Sequence, residues 1–106
     1  MSEAKITVDA GVCRFKTSIH AVGTDDFMTV NLVFSSDCPN IQKLAETMRT
    51  VDAIDAVSTA IIDNAVMKEC SKFIPHPACP IPSAIVKACE VAADLGLKKD
   101  VVFKFE

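Results

Sequence analysis

Residues 73–89, FIPHPACPIPSAIVKAC, place two cysteines and a histidine among four prolines. Cys79 and His76 lie inside the proline-rich stretch, and Cys89 follows it in a segment of helical periodicity. Cysteine thiolates and imidazole bind zinc, and thiolates also hold iron–sulfur clusters. Because proline restricts the backbone, such a loop can hold a ligand with little further loss of conformational entropy. The stretch is therefore either a preorganised site for a metal, a cluster or thiol chemistry, or a rigid turn whose cysteines are structural.

The other cysteines are far apart in the sequence. The chain has five in 106 residues, at Cys13, Cys38, Cys70, Cys79 and Cys89. An odd number of cysteines, without the features of a secretory signal, argues against a disulfide framework. No two of them form a C-x-x-C pair, so neither a thioredoxin-type motif nor a zinc ribbon is encoded. Any metal site must therefore be assembled from distant segments.

Cys38 has the most distinctive local setting. The stretch SSDCPNIQKLAETMR has helical periodicity after Pro39, and proline is favoured at the first helical position. Cys38 is therefore the predicted N-cap, where unpaired N–H groups and the positive end of the helix dipole stabilise a thiolate. The neighbouring carboxylate of Asp37 acts in the opposite direction. The alternative is that Cys38 is only a weak capping residue.

Alternating residues before this helix predict strands. A short strand over 4–10 is followed by a second strand that includes Cys13, and a turn at 23–26 leads into a third strand from 28 to 34. With the turn centred on 23–26, Phe15 faces Phe34 and the apolar faces of both strands coincide. Cys13 then lies opposite Ser36, so Cys13 and Cys38 are expected at one end of the sheet.

The rest of the chain predicts helices and a last strand. Residues 39–49 form one helix, residues 51–74 form one kinked helix or two short ones, and SAIVKACEVAADL forms another. VVFKFE (residues 101–106) alternates and predicts a C-terminal strand. The predicted fold class is α+β: an antiparallel sheet of three N-terminal strands plus a C-terminal strand, with two to three helices packed on one face. The whole chain, 1–106, is expected to be a single domain.

The remaining candidate residues each have a structural explanation. Cys13 shares its predicted strand face with apolar residues, and free cysteine is often buried, so a core position explains it. Cys70 falls on an apolar helical stripe and is predicted to be core. Cys89 is similar, but it lies about two turns into the helix that follows Cys79 and could point back toward the loop. His76 stands between two prolines and is expected to be exposed, as is His20 on the polar face of its strand.

Composition excludes several function classes. The net charge is −3, the lysines and arginines are scattered, and the chain has no Trp or Tyr. Nucleic-acid binding normally needs a basic face, so no nucleic-acid partner is expected. No apolar stretch approaches the ~20 residues that cross a bilayer, so no membrane partner is expected. The N-terminal residues lack the features of a signal peptide, and the expected location is the cytoplasm.

Three segments resemble a family of proteins. VDAGVC (8–13), SDCPNIQKLAE (36–46) and HPACPIPSAIVKACEVAADLGLKKDV (76–101) are similar to a small family of uncharacterised prokaryotic cysteine-containing proteins. That family has no established activity, so the resemblance implies no catalytic residues. It implies only that the cysteine-bearing segments occur together.

The sequence thus indicates a small cytosolic domain of unknown role. The hypothesis to test first is a thiolate site of Cys13, Cys38 and Cys79, with Cys89 or His76 as fourth ligand, that binds zinc or an iron–sulfur cluster. One alternative is a non-catalytic interaction domain whose cysteines are core residues, with a homodimer or an unidentified protein as partner. A second is a cysteine-dependent redox or transfer enzyme. Because no glycine-rich phosphate loop or Ser–His–Asp spacing is present, the sequence favours a non-catalytic role.

Overall fold

The computed structural model describes residues 2–26 and 28–106. The elements in chain order are β1 (Glu3–Asp9), β2 (Lys16–Gly23), β3 (Thr29–Ser36), α1 (Pro39–Thr47), β4 (Thr50–Asp52), α2 (Ala53–Ser58), a 3-10 turn (Ile61–Asp63), α3 (Ala65–Ser71) and α4 (Ile81–Ala92).

The strands form one antiparallel sheet in the order β1-β2-β3-β4. Along β2 and β3, alternate residues such as Ile19, Ala21, Val30 and Leu32 are buried, whereas most of the residues between them are exposed. One face of the sheet therefore meets the core, as is usual for antiparallel sheets. On that face α4 packs against β1 and β2, and α1 packs against β3. The predicted α+β class, with helices on one face of an antiparallel sheet, is confirmed.

The predicted register of the β2–β3 hairpin is wrong. Ile19 pairs with Phe34, where Phe15 was expected, and Thr17 pairs with Ser36, where Cys13 was expected. The turn is centred two residues later than predicted, as the hydrogen bond from the N–H of Thr24 to the carbonyl of Thr29 over 2.9 Å shows. The shift is by an even number of residues, so the buried faces are still the predicted ones.

The fourth strand is also in a different place from the predicted one. Residues 101–106 have no regular structure and are exposed. Instead, Thr50–Asp52 pairs with β3, with Val51 opposite Val30. The N–H of Leu32 also donates to the carbonyl of Arg49 over 2.8 Å, which extends this contact. A three-residue strand between two helices has too few residues for its alternation to be recognised.

The segment 51–74 contains two short helices, one of the two arrangements predicted. The apolar stripe predicted for it is interrupted, because Ile61 and Ile62 lie in the 3-10 turn and are exposed. Val66 and Cys70 are buried, as predicted, on the inner side of α3. Within the described residues, no helix is both long enough and apolar enough to cross a membrane.

Gly23 allows α4 to approach the sheet closely. An added Cβ at this position would overlap the backbone carbonyl oxygen of Ala92, at the end of α4. We expect Gly23→Ala to lower the free energy of unfolding by about 3 kcal/mol, because a backbone carbonyl cannot rotate away as a side chain can. Urea denaturation followed by circular dichroism measures the change.

Gly11→Ala is the matched control for this substitution. Nothing lies within 4 Å of a Cβ added there, but the residue has a φ of 83°. The control therefore costs only the strain of a left-handed conformation, about 1 kcal/mol. If Gly23→Ala cost no more than Gly11→Ala, the close packing of α4 on β2 would be contradicted.

Candidate functional site

Cys38 is the N-cap of α1, as the sequence predicted. Its backbone is extended (φ −80°, ψ 123°), and Pro39 follows at the first helical position. Its N–H donates to the hydroxyl of Ser36 over 3.1 Å, and that hydroxyl is 2.7 Å from the hydroxyl of Thr17. The side chain makes no capping hydrogen bond, so the half-buried sulfur is available for other contacts.

Cys79 occupies a similar position at the start of α4. Like Cys38 it is followed by proline, and Pro80 is the N-cap of the helix. The N–H of Cys79 donates to the carbonyl of His76 over 3.2 Å, which closes a turn in the proline-rich loop. Two half-buried cysteines in Cys-Pro sequences therefore lie at the N-terminal ends of two different helices.

Cys13 lies in the loop between β1 and β2 and is exposed. The predicted position on a buried strand face is wrong, because the chain turns between Gly11 and Arg14 before β2 begins. Both of these residues have positive φ, and the N–H of Arg14 donates to the carbonyl of Gly11 over 2.9 Å. The thiol of Cys13 is therefore accessible to solvent.

The topology places these three cysteines at the same end of the sheet. The C-terminal end of α4 lies where β2 ends and β1 begins, because Ala92 is against Gly23 and Asp94 accepts from the hydroxyl of Ser2 at 2.5 Å. A helix of 12 residues spans about 18 Å, close to the length of the strands beneath it. The N-terminal end of α4 is therefore at the opposite end, where β1 leads into the Cys13 loop and β3 leads into Cys38.

Electrostatic effects on Cys79 agree with this placement. Burial is the main cause that raises the pKa of the Cys79 thiol, and the backbone N–H of Ile81 lowers it by hydrogen bonding. Negative charge on Cys38 and on Cys13 raises the same pKa further. The thiol of Cys79 is thus close enough to both to respond to their ionisation.

Cys70 is a fourth thiol near this corner of the molecule. It is buried on α3, as predicted, and burial, then negative charge on Cys79, then Glu69 raise its pKa to about 12. Sequence analysis treated Cys70 only as a core residue. Its proximity to Cys79 depends on the packing of α3 against α4, for which the sequence carries no local signal.

The two candidates for a fourth ligand lie in contrasting places. Cys89 is buried in α4, about 12 Å along the helix from Ile81, and burial followed by Glu90 raises its pKa to about 12. His76 is exposed in the proline-rich loop, as expected. In residues 2–26 and 28–106, no three histidine, cysteine or acidic side chains are placed so that they could hold a metal ion.

Other polar groups lie on the outer face of the sheet and along a separate groove. His20 is on the outer face of the sheet, where its Nε2 is 2.7 Å from a carboxylate oxygen of Glu3. A groove of about 310 Å³ is lined by Asp52, Asp55 and Glu69 among others. Asp52 accepts from the N–H of Asp55, and Glu69 pairs with Lys72 at 2.9 Å. Two of the carboxylates that line the groove thus already have partners.

Comparison with protein families identifies the chain. The model of DUF6951, a family of unknown function, matches residues 4–105. The chain belongs to this family. The resemblance seen in the cysteine-bearing segments is thereby confirmed, and DUF6951 membership extends it to nearly the whole sequence. Comparisons with curated proteins and with solved structures gave no match.

Proposed function

We propose that this domain is a thiolate metal-binding protein whose ligands are Cys13, Cys38 and Cys79. The observation that carries the proposal is that the topology brings three thiols, from a hairpin loop and two helix starts, to one end of the sheet. Among the described residues these side chains do not surround an ion as they stand, so binding would require the Cys13 loop and the proline-rich loop to close around it. Zinc and iron–sulfur clusters both take thiolate ligands from distant segments of a chain. The site would therefore hold zinc or an iron–sulfur cluster.

The helix positions of Cys38 and Cys79 support this chemistry. A cysteine must lose its proton to bind a metal, and the N-terminal end of a helix favours negative charge. Both cysteines lie at such ends, and a proline in the first turn or at the cap restricts the backbone beside each one. These two cysteines thus lie directly before the starts of helices, while Cys13 is in an exposed loop whose side chain can turn toward them.

His76 is the fourth ligand that the loop geometry supports best. It is three residues before Cys79, and the hydrogen bond from the Cys79 N–H to the His76 carbonyl folds the loop back on itself. Its imidazole is exposed, whereas Cys89 is buried further along α4. Three cysteines and one histidine are a common ligand set for structural zinc.

Metal content tests this proposal. Protein purified without oxygen or chelator is expected to contain about one equivalent of zinc per chain, or about two to four equivalents of iron if a cluster is bound, by elemental analysis and absorption spectroscopy. Cys38→Ser and Cys79→Ser are each expected to reduce this content at least about tenfold, since each removes a ligand. Less than about a tenth of an equivalent of either metal in the parent protein would contradict the proposal.

Cys89→Ala is the matched control for the ligand substitutions. It also removes one thiol, but from a buried position away from the Cys79 corner. It is expected to leave the metal content unchanged. Equal loss of metal in the control and in the ligand variants would show that thiol removal acts through the stability of the fold.

A thiol-based redox or transfer activity is the second candidate. It is supported by the accessibility of Cys13 and by the N-cap position of Cys38, since exposed thiols near positive helix ends are the reactive kind. Metal-free protein in which one of these two thiols reacts far faster than a free cysteine would favour this candidate over the metal site.

A further inference from the structure

Residues 101–106 form an exposed apolar segment, which we call the tail. Its side chains Val101, Val102, Phe103 and Phe105 are between 60% and 99% exposed. In the described part of the chain, the backbone of residues 96–106 makes no hydrogen bond with another backbone group. The sequence alternates as a strand does, so the tail has the composition of a strand without a neighbour.

The first strand of the sheet has a free edge of matching length. Among the residues that the structure describes, β1 is at the end of the strand order and pairs only with β2. The N–H of Gly23 donates to the carbonyl of Ser2, and the N–H of Ala10 donates to the carbonyl of Phe15. These two bonds show which residues of β1 are hydrogen-bonded to β2. The backbone N–H and C=O groups of the even-numbered residues of β1 therefore point toward β2. Those of the odd-numbered residues point to the free edge; they belong to Glu3, Lys5, Thr7 and Asp9.

We infer that the tail adds as a strand to the β1 edge of a second copy of this chain. Six extended residues span about 20 Å, and the seven residues of β1 offer about 23 Å. The tail has one lysine and one glutamate, so it brings no net charge to β1, which has two acidic residues and one lysine. The lengths therefore match, no repulsion between net charges opposes the pairing, and the backbone groups left free on each side can pair.

The exposure of the tail favours a second copy over the chain's own edge. Leu97 and Lys98 lie beside Ser2 and Glu3, so the segment starts next to its own β1. Beyond that point the phenylalanine side chains are almost free of their own fold. Val91 of α4 borders the same groove and is partly exposed, which gives a partner's phenylalanines an apolar surface.

Reciprocal exchange of the tails gives a closed dimer. Each copy supplies one tail and one free edge, so two copies related by a two-fold axis satisfy both. Aromatic side chains bury ~150–250 Å² each, so two tails contribute on the order of 1,000 Å², close to the lower limit of stable interfaces. This interaction is independent of the cysteine site, because it uses none of the five cysteines.

Substitutions in the full chain test the inference. The parent protein is expected to be a dimer by analytical ultracentrifugation at micromolar concentration. Phe103→Asp combined with Phe105→Asp is expected to raise the dimer dissociation constant at least about 100-fold, because it removes the apolar contacts. Ile62→Asp, on the exposed 3-10 turn, is the matched control and should leave the mass unchanged. A monomeric parent protein would overturn the inference.

The edge strand has its own pair of variants. Thr7→Pro removes one free-edge N–H without breaking a hydrogen bond to β2, because the N–H of Thr7 points away from β2. It should also raise the dissociation constant, whereas Thr7→Ala keeps the N–H and should not. A mixture of the Thr7→Pro protein with the tail variant should form heterodimers by native mass spectrometry. A dimer insensitive to both the tail and the edge variants would overturn the inference.

Hydrogen exchange separates pairing between copies from pairing within one chain. Tail amides are expected to be protected at concentrations where the dimer forms and unprotected after dilution below its dissociation constant. Protection that persists in the diluted monomer would show that the tail pairs with its own β1, and would overturn the assignment to a second copy.

Discussion

Asn64→Ala is expected to lower the free energy of unfolding by about 3 kcal/mol. Asn64 is buried, and its side-chain oxygen accepts from the N–H groups of Val66 and Met67, which caps the start of α3. Loss of such a cap costs about 1 kcal/mol. Its side-chain nitrogen is 2.9 Å from the carbonyl oxygen of Ala56 and 3.2 Å from those of Asp55 and Thr59, at the end of α2. Buried carbonyls left without a donor add about 1–3 kcal/mol.

Asn64→Asp separates these two contributions. It keeps an acceptor for the N–H groups of α3 but places a second oxygen against the carbonyls of α2. We expect it to destabilise the fold at least as much as Asn64→Ala at neutral pH, because the buried carboxylate faces acceptors. Chemical denaturation of both variants, compared with Ser58→Ala on the exposed side of α2, measures the loss. If both substitutions at Asn64 cost under about 0.5 kcal/mol, the double-cap arrangement is wrong.

Asn64 also shows which signals the sequence contained. An asparagine directly before the apolar periodic stretch AVMKEC is an N-cap signal, and it would have divided the segment 51–74 at the observed boundary. Its second role cannot be inferred from the sequence, because the donor side of the amide contacts α2 through a turn of the chain. The cap on α3 was therefore predictable from the sequence, whereas the contacts with the carbonyls of α2 were not.

The sheet was likewise predicted correctly in its buried faces but not in its register. The alternation of β2 and β3 identified the buried faces correctly, since period two does not depend on the length of the turn. The register depends on where the turn is centred. The loop closed by the hydrogen bond from Thr24 to Thr29 is centred two residues later than predicted, so each residue of β3 pairs four residues further along β2 than expected. The tail was predicted as a strand from a correct pattern, but strand pairing also needs an adjacent edge.

The candidate site was predicted where local rules apply. Pro39 fixed Cys38 as an N-cap, and the structure confirms that position. Cys13 was expected near Cys38 because of a wrong register, yet the hairpin loop brings it to the same end of the sheet. Cys70 was missed as a neighbour of Cys79, because only the packing of α3 on α4 places them together.

Alkylation of the native, metal-free protein is expected to divide the five thiols into two groups. Cys13 and Cys38 should react first, because one is exposed and the other half-buried at a helix start. Cys70 and Cys89 should react more than about 1,000-fold more slowly, because a pKa of about 12 leaves that much less thiolate than the ordinary value of ~8.5. Mass spectrometry of a labelling time course at pH 7 measures each rate.

The pH dependence and the unfolded protein provide the controls. Labelling of Cys70 and Cys89 should keep rising about tenfold per pH unit up to about 11, because their pKa values lie above that range. In concentrated guanidinium chloride all five thiols should react at similar rates, since burial is then lost. Native labelling of Cys70 or Cys89 within tenfold of Cys13 would show that the core around α3 and α4 is open.

Cys79 connects this experiment to the proposed site. Burial and the charges of Cys38 and Cys13 raise its pKa, so its rate should fall below theirs. At alkaline pH, where free thiols ionise, replacing both neighbours with serine removes negative charge near Cys79 and should speed its labelling. Cys89→Ala removes a thiol whose charge does not act on Cys79, and it should leave that rate unchanged. If the double serine variant labels Cys79 at the same rate as the parent protein at alkaline pH, the three thiols do not share one corner, and the proposed metal site is contradicted.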